Sequence, residues 1–293
     1  MLKGRLGLET ARIPQSDRHG LLWLDRGRLF VENGTLRFVT AGSEEMPAGE
    51  YAIPYQMISA ILLGPGTSVT HDALRILSRH GTGLVAVADG GVRLYASMPA
   101  NPDRSARARS QAEAWADREV RRLDVIRRMY AWRFGEILPS SDVEVLRGVE
   151  GARMRETYAL LAQQYGVEWH GRCYDRSAPD QDDVPNRAIN HAATAMYALA
   201  AVAVAVTGTL PQLGFVHEDS GHAFALDIAD LYRASITIPV AFAAAAAAAR
   251  NETQLERAVR HGIAARCRKD RVIESMIDRI KELFDADDAG RHT

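Results

Sequence analysis

The stretch Ser97-Met98-Pro99-Ala100-Asn101-Pro102-Asp103-Arg104 decides the fold, because the spacing of apolar residues changes across it. Before it, short apolar runs alternate with turn signals, as is typical of β-strands. After it, from Arg104 to Phe134, charged and apolar residues alternate at helical spacing. We therefore predict an α+β protein, in which a small β-rich N-terminal domain (residues 1–100) precedes a larger all-helical catalytic domain (residues 105–285). Residues 286–293 are expected to form a disordered tail.

The N-terminal half contains two predicted hairpins. Arg28–Val31 and Leu36–Val39 flank Asn33-Gly34, a pair that tolerates positive φ and favours a tight turn. Leu84–Ala88 and Val92–Tyr95 flank a second turn region. These signals predict a mostly antiparallel β-structure.

The helical half contains one segment that is as apolar as a membrane span. Pro185 suits the first turn of this helix, and an uncharged run extends from His191 to Gly208. Alanine dominates the run and polar segments flank it, so a buried helix of a soluble bundle is the better interpretation. Before it, Ser141-Asp142-Val143-Glu144 has the pattern of a capping box and predicts a long helix from Val143 to about Tyr165.

Composition narrows the class of protein. The chain has 293 residues, enough for two domains, and its formal net charge of −1 is compatible with many kinds of partner. Cys173 and Cys267 form no zinc-type cluster, which fits a reducing compartment. The N-terminus has no continuous apolar run, so we expect a cytoplasmic protein without a signal peptide. No nucleophile elbow, dinucleotide fingerprint or zinc-protease motif occurs in the sequence.

Ligand-type side chains are concentrated between Gly214 and Asp230. His217 lies in the loop that precedes a predicted helix, and Asp227 and Asp230 share one face of that helix at i and i+3. Carboxylates suit Mg²⁺ or Mn²⁺, and an imidazole favours Mn²⁺. Spacing alone, however, favours a solvated acidic loop beside two exposed aspartates.

Glu150 has an unusual setting for a residue within a helix. Gly148 and Gly151 flank it, and each costs ~1 kcal/mol against alanine in a helix. Such glycines mark a close backbone approach or space for a ligand. Equally, they would permit helix–helix packing, with Glu150 paired to Arg147 or Arg153.

Several longer motifs occur in a fixed order along the chain. They are Pro65-Gly66-Thr67-x-Val69-x-His71, Gly91-Val92-Arg93-x-Tyr95-Ala96-Ser97, Arg133-Phe134-Gly135-Glu136, Leu146-Arg147-Gly148-x-Glu150-Gly151-Ala152-Arg153, Gly214-Phe215-Val216-His217 and Asp227-Ile228-Ala229-Asp230. With these motifs the chain resembles the CRISPR adaptation integrases, of the subtype that accompanies the Cascade surveillance complex (type I-E). The resemblance runs from about Arg18 to Arg250.

This resemblance implies a site and a reaction. Glu150, His217 and Asp230 would bind a divalent metal, Mg²⁺ or Mn²⁺, with Asp227 as an auxiliary acid of the catalytic set. The reaction would join the 3′-hydroxyl of a short foreign DNA fragment to the CRISPR repeat by transesterification. Residues expected near DNA are Arg75, Arg93, Arg147, Arg153, Arg172, Tyr174, Asn186 and Tyr197.

The resemblance also implies partners. The family works as a homodimer that binds double-stranded DNA and a small ferredoxin-like adaptation protein, and no membrane is involved. Two other hypotheses stay open at this point: a metal-dependent nuclease for branched DNA outside CRISPR, and a non-catalytic DNA-binding assembly subunit. The family's short loop after the histidine is here Glu218-Asp219-Ser220-Gly221-His222, whose added acids would repel phosphate, so no DNA contact is assigned to it.

Overall fold

The structure is a computed structural model that describes residues 20–43, 46–98, 105–137, 142–173, 182–218, 220–248 and 254–285. The chain divides into two compact units, one formed by Met1–Ala88 with Tyr95–Ala106 and the other by Asp89–Leu94 with Arg107–Thr293. Strands dominate the first unit and helices the second, which confirms the predicted α+β class. The predicted disordered tail, residues 286–293, lies outside the described residues.

One sheet of the first unit contains the predicted hairpin. Its strands, in the order β4-β3-β2-β6, are β2 (Gly27–Glu32), β3 (Thr35–Thr40), β4 (Gly49–Ala52) and β6 (Ser68–Val69). β2 and β3 are antiparallel, and the turn between them has φ of 50° at Asn33 and 77° at Gly34. Both positive angles are those of the tight turn that Asn-Gly favours.

The second sheet corrects the expectation of a mostly antiparallel structure. Its strands, in the order β1-β5-β7-β8, are β1 (Leu21–Leu24), β5 (Ala60–Leu63), β7 (Gly83–Val87) and β8 (Leu94–Ser97). β5 runs parallel to both β1 and β7. A parallel pair needs a long crossover, and helix α1 (His71–His80) supplies one between β5 and β7. Thr70 caps α1 by accepting a hydrogen bond from the backbone N–H of Ala73.

The helical unit includes a short segment from the predicted β-domain. Asp89–Gly91 forms a 3₁₀ turn, where Gly90 has φ of 64°. A Cβ atom at Gly90 would lie 2.2 Å from the Cβ of Ala264. This close approach, which only glycine permits, places residues 89–94 with the helices.

The remaining helices are α2 (Ser105–Ala116), α3 (Arg121–Phe134), α4 (Val143–Tyr165), α5 (Val184–Thr207), α6 (Ala223–Asp230), α7 (Ile238–Ala248), α8 (Leu255–Asp270) and α9 (Val272–Phe284). The helical pattern from Arg104 to Phe134 is therefore two helices, separated by a turn in which Asp117 accepts from the N–H of Val120. As predicted, Asp142 caps α4, and Pro185 lies in the first turn of α5. A π-helical turn, Arg233–Thr237, joins α6 to α7.

Helix α5 is the centre of the helical unit and packs against α6, α7, α8 and α9. Among the described residues it is also the one single helix long and apolar enough to cross a membrane, with 61% of its most apolar window buried inside the protein. Leu199, Ala200, Val202 and Ala203 are fully buried. The small alanine side chains let neighbouring helices approach closely, so the run is explained by packing in a core.

We expect Ala200→Leu to lower the free energy of unfolding by about 1–3 kcal/mol, because three added carbons have no space at the centre of the bundle. Urea unfolding monitored by circular dichroism measures this change. Ala193→Leu, an exposed position on the same helix, is the matched control and should be close to neutral. Equal stability of the two variants would contradict this account of α5.

Candidate active site

His217 is held by a carboxylate that the fold buries completely. The side chain of Asp227, on α6, has no exposed surface. Its oxygens accept hydrogen bonds from the backbone N–H groups of Phe215, Val216 and His217, the last at 2.9 Å. One of them also lies 2.7 Å from Nδ1 of His217. Asp227 therefore shapes the loop and orients the imidazole, which is a positioning role; its predicted role as an auxiliary acid stays a prediction.

This contact determines the chemistry of the imidazole. With Nδ1–H donating to Asp227, the neutral ring has its lone pair on Nε2, which lies 3.7 Å from Oδ2 of Asp230. The hydrogen bond to Asp227 raises the pKa of His217 above its ordinary value, although burial and the charge of Arg133 oppose the change.

Two helices supply a pair of carboxylates beside His217. Glu150 projects from α4 and Asp230 from the last residue of α6, and their side chains are only 17% and 22% exposed. Arg133, from α3, contacts both with the same atom: its Nη2 donates to Oε1 of Glu150 and lies 3.1 Å from Oδ2 of Asp230. Asp230 thus lies beside His217 and shares the guanidinium of Arg133 with Glu150.

The glycines near Glu150 leave open space. A methyl group at Gly148 would meet nothing within 4 Å, and one at Gly151 would meet only the end of Arg155, at 3.7 Å. Among the described residues, no helix packs against these two glycines, which was the alternative that we kept. Nor does Glu150 pair with Arg147 or Arg153.

A cavity of about 210 Å³ opens beside the carboxylates. Its lining combines both acids with three arginines: Arg133, Arg153 and Arg233. Arg233 lies 3.8 Å from Asp230, and it donates to the hydroxyl of Tyr158 at 3.1 Å. The cavity therefore presents positive charge around an acidic centre.

The donor set fits a hard divalent cation. Carboxylates and one imidazole nitrogen are ligands that Mg²⁺ and Mn²⁺ accept, and the Asp227 contact at Nδ1 is typical of metal-binding histidines. As the side chains are placed, however, no three such groups among the described residues are arranged to hold an ion. In this arrangement the guanidinium of Arg133 lies between Glu150 and Asp230.

Two side chains of helix α2 fix the loop that carries His217. Gln111 on α2 donates to the carbonyls of Leu210 and Leu213, each at 3.0 Å. Trp115 on α2 donates to the carbonyl of Gly214 at 3.0 Å. These two positioning residues were not predicted, because a glutamine and a tryptophan at helical spacing are also typical of a helix that packs against a protein core.

Arg122 and Tyr130, on α3, were also not predicted. Arg122 donates to the carbonyl of Phe215 at 3.3 Å and forms an ion pair with Glu218 at 2.7 Å. Burial, and then the charge of Glu150, raise the pKa of Tyr130 to about 12. Arg133 itself belongs to the motif Arg133-Phe134-Gly135-Glu136, so the signal that could have identified it was present in the sequence.

Asn186, which we predicted as a residue near DNA, has a structural role instead. It is fully buried, and its Oδ1 accepts from Arg172 at 2.9 Å and from the N–H of Cys173 at 3.0 Å. Its Nδ2 donates to the carbonyl of Gly171 at 3.0 Å. Asn186 therefore holds the segment before α5 and has no free polar atom for DNA.

The other predicted DNA contacts lie at separate places. Arg75, in the first unit, pairs with Asp72, whereas Arg93 pairs with Glu256. Tyr197 contacts the ring of His222 edge-on, and Tyr174 lies outside the described residues.

Arg147 and Arg153 are the predicted DNA contacts nearest the carboxylates, since both project from α4. Arg147 pairs with Glu144 and donates to the carbonyl of Val216. Arg153 pairs with Glu136 and lies over the ring of Phe134. The side chain of Arg147 is 43% exposed and that of Arg153 is 40% exposed.

The comparisons with known proteins agree with one another. Residues 130–275 match the family model of CRISPR associated protein Cas1. Two relatives named CRISPR-associated endonuclease Cas1 each align with 94% of this chain and 87% of their own length: that of Geobacter sulfurreducens is 37% identical over 277 residues, and that of Escherichia coli K12 is 36% identical over 275.

The solved structures show the same relationship. The crystal structure of a TtCas1–DNA complex superimposes with a TM-score of 0.81 at 35% identity, covering 92% of this chain and 97% of that one. A casposase bound to its integration product has a TM-score of 0.65 at 16% identity, over 92% of this chain and 96% of its own, and shares the fold. Because it shares the fold of these proteins and is more than a third identical to relatives that align with most of its length, the chain belongs to the family of CRISPR-associated Cas1 endonucleases.

Proposed function

We propose that the chain is a divalent-metal-dependent DNA endonuclease and integrase of CRISPR adaptation, of the type I-E subtype that its motifs resemble. The observation that supports this proposal is the position of Asp230, which shares Arg133 with Glu150 and lies 3.7 Å from Nε2 of His217. Both acids line a cavity that three arginines also line. Neighbouring carboxylates are typical ligands of a divalent metal ion, and arginine side chains are well suited to bind phosphate.

Glu150, Asp230 and His217 would hold the metal, Mg²⁺ or Mn²⁺. When bound, such an ion lowers the pKa of an attacking hydroxyl and neutralises charge on the phosphoryl group. In the neutral imidazole, Nδ1–H donates to Asp227, which leaves the lone pair on Nε2, the nitrogen that faces Asp230. Because the DNA end supplies the nucleophile, the protein needs no covalent intermediate.

The proposed reaction is a transesterification, in which one phosphodiester bond forms and one breaks. A bond forms between the 3′-oxygen of the DNA fragment and a phosphorus atom at the edge of the repeat. The bond from that phosphorus to the 3′-oxygen of the repeat strand breaks, and the departing oxygen takes a proton. Arg153 and Arg233 line the cavity and would position the phosphate, which is a point of high negative charge in this step.

Double-stranded DNA is the proposed substrate, since a related protein of this fold is solved as a DNA complex. A homodimer and a small ferredoxin-like partner are parts of the same proposal, which rests here on the family resemblance. The experiment that tests the function is a half-site integration assay on a supercoiled plasmid that carries the repeat, with and without the partner protein. DNA cleavage without joining would instead support a nuclease that acts outside CRISPR.

Glu150→Ala should abolish Mn²⁺-dependent strand transfer in this assay, because one of the two carboxylates is lost. The expected loss is on the order of 100-fold or more, as is usual when a group that stabilises transition-state charge is removed. Glu156→Ala, an exposed acid on the same helix, is the matched control and should retain full activity. Retention of strand transfer by Glu150→Ala would refute the assignment.

Asp227→Asn should raise the Mn²⁺ concentration required for half-maximal strand transfer by about 10–100-fold. An amide cannot accept all of the N–H groups that the carboxylate accepts, so the imidazole loses its orientation. Asp278→Asn, an exposed site on α9, serves as the control. If the variant loses activity equally at every Mn²⁺ concentration, Asp227 acts only on the stability of the fold.

Binding of the wild-type protein to double-stranded DNA should weaken steeply with added salt. Each phosphate that an arginine neutralises releases counterions, and the slope of log K against log salt is about −0.9 per phosphate. Fluorescence anisotropy across a salt series measures this slope. Arg153→Ala should reduce its magnitude by about one phosphate equivalent, whereas a flat salt dependence would count against DNA as the substrate.

A further inference from the structure

Arg133 occupies the place where the two carboxylates of the proposed metal centre meet. Its side chain is 8% exposed, so the guanidinium is almost completely removed from water. A single nitrogen, Nη2, serves both Glu150 and Asp230. The structure therefore places a positive charge between the acids without any metal.

The physical reason for this arrangement is the repulsion between two like charges in a poorly hydrated site. Glu150 and Asp230 are both mostly buried, and burial strengthens their repulsion. A guanidinium between them offsets the repulsion. It also fixes the rotamers of two side chains that come from different helices.

The neighbouring arginines do not make this double contact in the part of the chain that the structure describes. Arg233 lies 3.8 Å from Asp230 and donates to Tyr158. Arg153 pairs with Glu136 and lies over the ring of Phe134, 4.7 Å from its centre.

We infer that Arg133 is a resident cation of this centre: it holds Glu150 and Asp230 in place before the metal arrives, and the metal displaces it. The inference rests on the proposed metal centre and adds a role for this residue. Arg133 is a positioning residue, since it acts through the two carboxylates. Its displacement must weaken metal binding, because two charge-assisted contacts are given up for each ion that enters.

A purely structural role for Arg133 is the competing explanation. The guanidinium also lies over the ring of Tyr130, 5.5 Å from its centre, so its removal alone would disturb packing between α3 and its neighbours. Such a role affects thermal stability but gives no reason for metal to bind more tightly when the arginine is removed. Metal affinity therefore separates the two explanations.

The test uses Arg133→Met in the full-length protein, because methionine retains much of the length and apolar contact while removing the charge. Mn²⁺ binding is measured by electron paramagnetic resonance of free Mn²⁺, and the melting temperature is measured in EDTA and in Mn²⁺. The dissociation constant for Mn²⁺ should fall roughly tenfold. The melting temperature in EDTA should also fall, and its rise on Mn²⁺ addition should exceed that of the wild type.

Two further variants control the experiment. Arg133→Lys keeps a positive charge but cannot form the same planar contacts, so its Mn²⁺ affinity should lie between those of the wild type and Arg133→Met. Arg127→Met changes an exposed arginine on the same helix and should leave both measurements unchanged.

The outcomes distinguish this inference from the proposed function. If the wild type binds Mn²⁺ and Arg133→Met binds it equally or more weakly, the resident-cation role is wrong and the metal centre stands. If neither protein binds Mn²⁺, the metal centre itself is wrong, and this inference fails with it.

Discussion

The site depends on one buried carboxylate, that of Asp227. Its oxygens receive three consecutive backbone N–H groups and the Nδ1–H of His217. A carboxylate without water is costly unless it is fully hydrogen-bonded, so the fold retains the loop in the one shape that satisfies it. The same contacts fix which imidazole nitrogen faces Asp230. Helix α6 thus provides both the anchor at Asp227 and, one turn later, Asp230, one of the two acids that contact Arg133.

Local signals in the sequence predicted the local structure well. Asn33-Gly34 forms the predicted turn, Thr70 caps α1, and Asp142 and Pro185 lie at the starts of α4 and α5. Strand direction was not predictable in this way, because alternation of apolar residues is the same in parallel and antiparallel strands. The parallel pairing of β5 with β7 follows from a crossover through α1, and that of β1 with β5 from the longer segment that contains β2, β3 and β4; both are properties of the chain path.

The site was predictable only in part, because local signals do not show which distant residues meet in the fold. Glu150, His217 and Asp230 came from motifs, since spacing alone favoured a solvated loop for His217 and Asp230 and left helix packing open for Glu150. Arg133 reaches them from a third helix, and no spacing rule connects residues 17 and 97 positions apart. Asn186 shows the opposite error, because a motif position near the active centre belongs to a residue whose polar atoms are all engaged in the fold.

The contacts from Gln111 and Trp115 have a consequence for substitutions in the segment that they hold. Both side chains donate to main-chain carbonyls, those of Leu210, Leu213 and Gly214. These hydrogen bonds use no side-chain atom of the three residues, so a change of side chain at Leu210 or Leu213 removes none of them. The path of the main chain towards His217 therefore depends on the side chains of α2 at Gln111 and Trp115, and loss of either one would loosen the loop.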